Sequence, residues 1–187
     1  MYHLKRIAGL LLLLLGWLPG MALSTEGPAA TREPSAYFFD QSFGNFRDEL
    51  ETARKEDKLG IFIMFDDVDC PWCAKMKATV LNQVPIQDYY HKHFRVLDVD
   101  TRGSAPMVDF SGKEMTQQDF AFKVHHVRAT PVFMFFDTDG KLLQRYTGAT
   151  RDTQEFLWLA EFIVSGEYKT KNFTVYKRKR LAAAGKN

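Results

Sequence analysis

The stretch Ile61-Phe62-Ile63-Met64-Phe65-Asp66-Asp67-Val68-Asp69-Cys70-Pro71-Trp72-Cys73 decides how the rest of the chain is read. Its first five residues are continuously apolar and rich in strand formers. No position is left to face water, so the run reads as a strand covered on both faces. Asp66 to Asp69 lead out of it, and Ala74 to Leu81 read as a helix that stops before Pro85. Cys70 therefore stands where a buried strand ends and a helix begins. The unpaired N–H groups and the dipole of a helix start both favour negative charge there. Pro71 suits the first helical position, where its missing N–H costs nothing. A thiol exchanges with a disulfide only as the thiolate. Cys73 lies one turn in, within bonding distance of Cys70 and further from solvent. The expected roles follow: Cys70 attacks a target disulfide, and Cys73 resolves the mixed disulfide.

The chain of 187 residues holds only these two cysteines. A bridge across so short a loop constrains the unfolded chain very little, so the pair is not there for stability. A structural zinc site wants four ligands, and half of the sulfurs are missing. His91, His93, His125 and His126 fall at no finger or ribbon spacing. No metal and no cofactor beyond the cysteine pair is expected, and the histidines are given no role. Trp72 has two readings, an apolar lip that contacts partners or an aromatic packed on neighbouring loops, because one amphipathic ring serves either purpose.

Outward from this centre, Asn45 to Lys58 read as a helix with Phe46, Leu50 and Ala53 inward, Asn45 as N-cap and Glu51 paired with Lys55. Residues 93–99 read as the next strand, 101–115 as a surface excursion, and Gln117 to Val127 as a helix with Phe120, Val124 and Val127 inward. Val132 to Phe136 form a strand, Asp137-Thr138-Asp139-Gly140 a hairpin turn, and Lys141 to Tyr146 the return. Asp152 and Glu155 start a helix burying Phe156, Leu159, Phe162 and Ile163. Strands alternating with helices and ending in an antiparallel pair imply an α/β fold, a mixed central sheet flanked by helices on both faces. The 16 Phe and 7 Tyr fall mostly on these strands and inward helix faces, and are core first.

The N-terminus reads as a secretory signal peptide over residues 1–24. Lys5 and Arg6 precede a leucine-rich run from Ile7 to Leu18, Pro19-Gly20 breaks it, and small residues follow at Ala22 and Ser24. Its removal leaves about 160 residues, enough for one self-supporting domain. Removing Lys5 and Arg6 takes the formal charge from +2 to zero, with 23 basic residues against 23 acidic. That balance offers no global attraction for nucleic acid. Residues 25–36 read as a flexible lead-in, 37–168 as the domain, and 169–187 as a basic C-terminal tail. The run Lys177-Arg178-Lys179-Arg180 reads as part of a frayed, solvated end.

Cys70-Pro71-Trp72-Cys73, followed by Val127-Arg128-Ala129-Thr130-Pro131 and the Val132–Phe136 strand, resembles the thioredoxin superfamily from about Asn45 to Val164. The stretches Asp109 to Gly112 and Phe135 to Gly140 are similar to exported bacterial thioredoxin-like proteins of the SoxW type. The resemblance implies a thioredoxin fold with Pro131 as the cis-proline beside the redox pair. It also implies Thr130 offering its backbone to an extended partner segment. Two positions depart from the family. Its buried acid six residues before the first cysteine is Met64 here, and the tryptophan usually preceding the pair is Asp69. Asp66, Asp67 or Asp69 stand in for that acid, or else are solvated loop charges, the default for carboxylates.

The expected protein is a periplasmic thiol–disulfide oxidoreductase. It reduces disulfides of exported partners as a monomer and is recharged by a membrane electron donor. The absence of an ER-retention tetrapeptide favours periplasm over ER lumen. The same chemistry run as an oxidase or isomerase is one alternative, and a non-catalytic binding module or chaperone is another.

Overall fold

The computed structural model describes residues 30–185; the signal peptide expected at 1–24 and the first part of the expected lead-in fall outside them. Along the chain run α1 (Pro34–Tyr37), α2 (Phe46–Lys55), β1 (Gly60–Asp66) and α3 (Pro71–Met76), which continues in a π-helical turn (Lys77–Leu81). Next come α4 (Val84–His93), β2 (Phe94–Asp100), β3 (Pro106–Val108), β4 (Glu114–Thr116) and α5 (Gln117–Asp119), which continues in a second π-helical turn (Phe120–Val124). β5 (Val132–Asp137), β6 (Leu142–Thr147), α6 (Thr153–Val164), a 3-10 turn (Glu167–Lys169) and α7 (Phe173–Ala184) complete it.

The main sheet has the order β2-β1-β5-β6, with β1 parallel to β2 and antiparallel to β5. All seven residues of β1 are buried, as its unbroken apolar run requires. Alternation along the strand divides the interior into two halves. Phe62 and Met64 face one half, with Phe133 and Phe135 of β5 and the inner residues of α3, α4 and α6. Ile61, Ile63 and Phe65 face the other, with Phe46, Leu50 and Ala53 of α2 and Phe120. The expected mixed sheet with helices on both faces is the observed architecture. At its start, Gly60 is pressed so close to β5 that a Cβ there would lie 1.9 Å from the Phe136 carbonyl oxygen.

Phe62 is the hub of the first half. Its ring centroid lies 5.0 Å from those of Tyr90 and Phe135, and 5.9–6.0 Å from those of Phe38, Phe133 and Phe156. Tyr90 stacks on Phe156 and donates its hydroxyl to the Phe156 carbonyl oxygen at 2.9 Å. Burial holds that phenol well above its ordinary pKa.

Five local expectations are corrected. Pro85 does not merely end a helix; it sits in the first turn of α4, where proline is also welcome. The 101–115 excursion contains the β3–β4 hairpin, whose turn is built by Asp109. The Asp109 carboxylate accepts from the Ser111 N–H, the Ser111 hydroxyl and the Lys113 N–H at 2.7–2.9 Å. Val124 faces solvent, because the π-helical turn shifts the repeat after Phe120 while Phe120 and Val127 stay buried. Residues 30–36 are not a loose lead-in. The Arg32 N–H donates to the Asn82 carbonyl oxygen at 2.8 Å, the Val84 N–H donates to the Ala30 carbonyl oxygen at 2.9 Å, and Pro34 is buried.

The last correction concerns the basic run, which lies in helix α7 instead of fraying. Phe173 and Tyr176 pack on Phe162 of α6. Lys177 pairs with buried Glu155 at 2.6 Å, and Arg180 pairs with Glu161 at 2.8 Å while lying over the Trp158 ring. Two of the four cations are thus spent inside the molecule, and the other two, Arg178 and Lys179, are exposed.

Emptying the hub tests this account. Phe62→Ala is expected to lower unfolding free energy by about 3–5 kcal/mol, the cost of deleting a buried aromatic that its neighbours cannot replace. Urea denaturation will show this as a lower midpoint at unchanged slope; a loss under about 1 kcal/mol would mean that the ring is not the keystone.

Candidate functional site

β1 ends at Asp66, and its chain continues as a short loop into α3. The Asp67 carboxylate accepts the Asp69 N–H at 2.9 Å, and the Cys70 N–H donates to the Asp67 carbonyl oxygen at 3.0 Å. These bonds fix Cys70 as the N-cap of α3, with extended backbone at φ −84° and ψ 108° and Pro71 next. An N-cap side chain normally supplies an oxygen to the free N–H groups of the first turn. Here the acceptor is sulfur: the Cys73 N–H donates to Cys70 Sγ at 3.1 Å.

The two cysteines form a disulfide, with Cα atoms 5.3 Å apart. Cys70 is 8% exposed and Cys73 2%, so the outer sulfur is the one that meets a partner first. Trp72 is 56% exposed between them, and the Lys75 ammonium lies 5.2 Å from its ring centroid. The Thr130–Pro131 peptide bond is cis. Register explains why it belongs to this site. Phe65 of β1 pairs with Val132 of β5, so Pro131 and Thr130 lie at the end of the sheet from which the cysteine loop departs. Pro131 is buried, and its carbonyl oxygen accepts the Gly148 N–H at 2.8 Å.

The loop carboxylates are paired with cations, Asp66 buried and Asp69 still largely exposed to solvent. Arg102, just beyond β2, bridges Asp67 at 2.7 Å and Asp69 at 2.8 Å. Asp66 is buried and bonded by Lys77. Repulsion of a thiolate at Cys70 by this acidic run is thereby reduced by two cations that sequence reading passed over. Lys77 had a usable signal, since it follows Cys73 by four residues and so shares its helix face. Arg102 had none, because the contact depends on where β2 ends.

The histidines do not converge. His91 contacts the Tyr37 carbonyl oxygen at 3.0 Å and Asp40 at 3.6 Å, while His93 lies against Tyr89. His125 packs among Phe65, Phe120 and Phe136, with Nε2 buried and unbonded. Among the described residues no group of three or more His, Cys, Asp or Glu side chains is placed to hold a metal ion. Nor is any helix among them long and apolar enough to cross a membrane.

With this geometry in hand, the chain was compared with known proteins. Residues 46–163 match the family model of the thioredoxin-like domain. No curated protein matches the chain. Among solved structures, a thioredoxin-fold protein from Helicobacter pylori is similar at 25% identity and a TM-score of 0.54, covering 68% of this chain and 81% of that one. A thioredoxin from Thermus thermophilus is similar in fold at 22% identity and a TM-score of 0.50, covering 64% of this chain and 84% of that one.

The aromatic surroundings of His125 yield a pH prediction. Burial, with Arg145 adding to it, pushes this imidazole down to about 4, so the native state holds it neutral. The unfolded chain binds the proton from about pH 6.5 downward, and stability is lost as pH falls from there toward 4. His125→Phe removes the titration. The stability difference between parent and variant, from urea midpoints, is expected to move in the variant's favour across that window. A pH-independent difference would refute this.

Proposed function

This chain belongs to the thioredoxin-like domain family and is a thiol–disulfide oxidoreductase, and from that premise we propose that it reduces disulfides of exported proteins in the periplasm, with Cys70 as nucleophile and Cys73 as resolving thiol. The single observation that carries the assignment is the Cys73 N–H aimed at Cys70 Sγ, with Cys73 the more deeply buried of the two. A donor held at that sulfur stabilises its anion, which lowers a thiol pKa and creates the attacking species.

In the reduced protein, the Cys70 thiolate attacks one sulfur of the partner disulfide. The partner S–S bond breaks, one partner sulfur leaves as thiolate, and a mixed disulfide forms. Cys73 then loses its proton and attacks Cys70 Sγ, releasing the second partner sulfur and closing the Cys70–Cys73 disulfide. Two electrons have passed to the partner, and a membrane dithiol donor restores the starting state. No further cofactor is needed for these steps.

The exposed Trp72 ring supplies apolar contact beside the outer sulfur. The backbone of Thr130, beside cis Pro131, lies at the sheet end where an extended partner segment can be held across the reacting atoms. The signal-peptide pattern of residues 1–24 supports export.

Trapping tests the reading. Cys70→Ser is expected to abolish reduction of insulin disulfides. Cys73→Ser is expected to accumulate a mixed disulfide with the natural partner, visible as a reductant-sensitive band that names it. Full partner function in Cys70→Ser would instead make the chain a binding module. A reduction potential of about −120 mV, where strong oxidants lie, would reverse the direction of electron flow.

A further inference from the structure

Partner binding at Thr130 depends on where a short stretch of unsupported backbone is held. Residues 128–130 belong to no helix or strand, and the backbone N–H and carbonyl groups of Arg128, Ala129 and Thr130 have no hydrogen-bond partner among the described residues. Their place is therefore set by what grips the chain on either side. Behind them, the Gly148 N–H, just past the end of β6, donates to the Pro131 carbonyl oxygen at 2.8 Å. In front, Val127 is buried and its N–H donates to the Ala121 carbonyl oxygen at 2.9 Å. The Arg128 guanidinium folds back onto the Phe122 carbonyl oxygen at 3.2 Å and adds to that hold.

The turn just before Val127 is the less secure part. His126 sits at φ 52°, the left-handed region that a residue bearing a Cβ enters at a cost. The direction in which the chain sets out toward Thr130 depends on that turn being kept. Arg145 of β6 keeps it. Its guanidinium donates to the His125 carbonyl oxygen at 2.5 Å and, more weakly, to the His126 carbonyl oxygen at 3.4 Å, while Nε reaches the Thr147 hydroxyl at 3.5 Å. Arg145 is the register partner of Met134, which shares its half of the interior with Phe120 and Val127. A planar fork of fixed donors suits two successive carbonyls, and a charged donor makes the stronger bond. β6 and the residue after it thus grip the 125–131 segment twice, through Arg145 at its start and Gly148 at its end.

We propose that Arg145 is a positioning residue for partner binding: it fixes the His125–His126 turn, and through it the free backbone of Thr130 with which an extended, disulfide-bearing segment pairs. The inference rests on the oxidoreductase reading above. Arg145 acts through the turn and not on the reacting sulfurs. It favours substrates that present a length of backbone to Thr130, and is indifferent to small disulfides that meet Cys70 alone.

The test sets a protein disulfide against a small one. An aromatic disulfide reagent whose released thiolate is coloured reads attack by Cys70 of the reduced protein without peptide pairing. Insulin reduction, with a small dithiol recycling the protein, reads attack with it. Arg145→Met keeps the stem and removes the fork. It is expected to raise KM for insulin about tenfold with kcat within about twofold of the parent, the scale of one hydrogen bond lost from ground and transition states alike. Its rate with the small reagent is expected to stay within about twofold of the parent. Arg145→Lys, which keeps the charge without the planar fork, is expected to give an insulin KM between the two. Should Arg145→Met fail to fold, Arg145→Lys is read by the same comparison. Equal losses with both substrates, the mark of a merely structural role, or an insulin KM within about twofold of the parent overturn the proposal. A parent inactive toward both substrates would instead refute the oxidoreductase reading itself.

Discussion

Burying β1 on both faces is the constraint on which the rest of the molecule depends. A strand whose seven residues are all covered needs strands on either side and helices above and below. That requirement places α3, α4 and α6 against Phe62 and Met64, and α2 with Phe120 against Ile61, Ile63 and Phe65. The chain leaving such a strand has one way out, over the end of the sheet. The first helix start it meets carries Cys70, so the same burial that makes the core delivers a sulfur to the mouth of a helix.

The acidic exit of that strand would work against a thiolate if its charges were left alone, since nearby carboxylates raise a thiol pKa. The fold divides them. Asp67 and Asp69 share Arg102 at the rim, where ion pairs are screened and contribute little to stability but still cancel charge locally. Asp66 turns inward to Lys77, where a lone charge would be costly and a pair is sustained. The outer pairing bears on the nucleophile, and the inner pairing lies on the side of the resolving thiol.

Much of this was legible in the sequence wherever the signal was local. The buried strand, Cys70 as cap with Pro71 behind it, the Asp137–Gly140 hairpin and the inward face of α6 are periodicity and turn chemistry read over a few residues. What escaped was set by contacts distant in sequence or by breaks in period. α4 was hidden because a proline can close one helix or open another. Val124 was misassigned because a π-helical turn has no sequence period that single-chain reading can anticipate. Ordering of α7 depends on Glu155 and Glu161, some twenty residues before the cations they hold. Arg102 reaches Asp67 and Asp69 only once β1 and β2 lie side by side.

One further consequence joins the sheet edge to the site. β2 is an outer strand, and alternate residues turn their backbone groups away from β1. The outward groups of Val96 are occupied by Asp40, whose N–H donates to the Val96 carbonyl oxygen at 2.7 Å and whose carboxylate accepts the Val96 N–H at 2.8 Å. The Asp100 N–H is taken by the Gln117 side chain at 2.7 Å. Side chains and a short irregular segment thus blunt an edge that would otherwise recruit another strand. Asp98 lies between those two anchors, and there the cover parts into the cleft that Lys77 also lines. A continuous strand laid along β2 would have closed that opening over Lys77 and Asp98. Capping the edge with isolated side chains protects it at Val96 and Asp100 while leaving Asp98 and Lys77 in reach of solvent, so edge protection and an open cleft come from one arrangement.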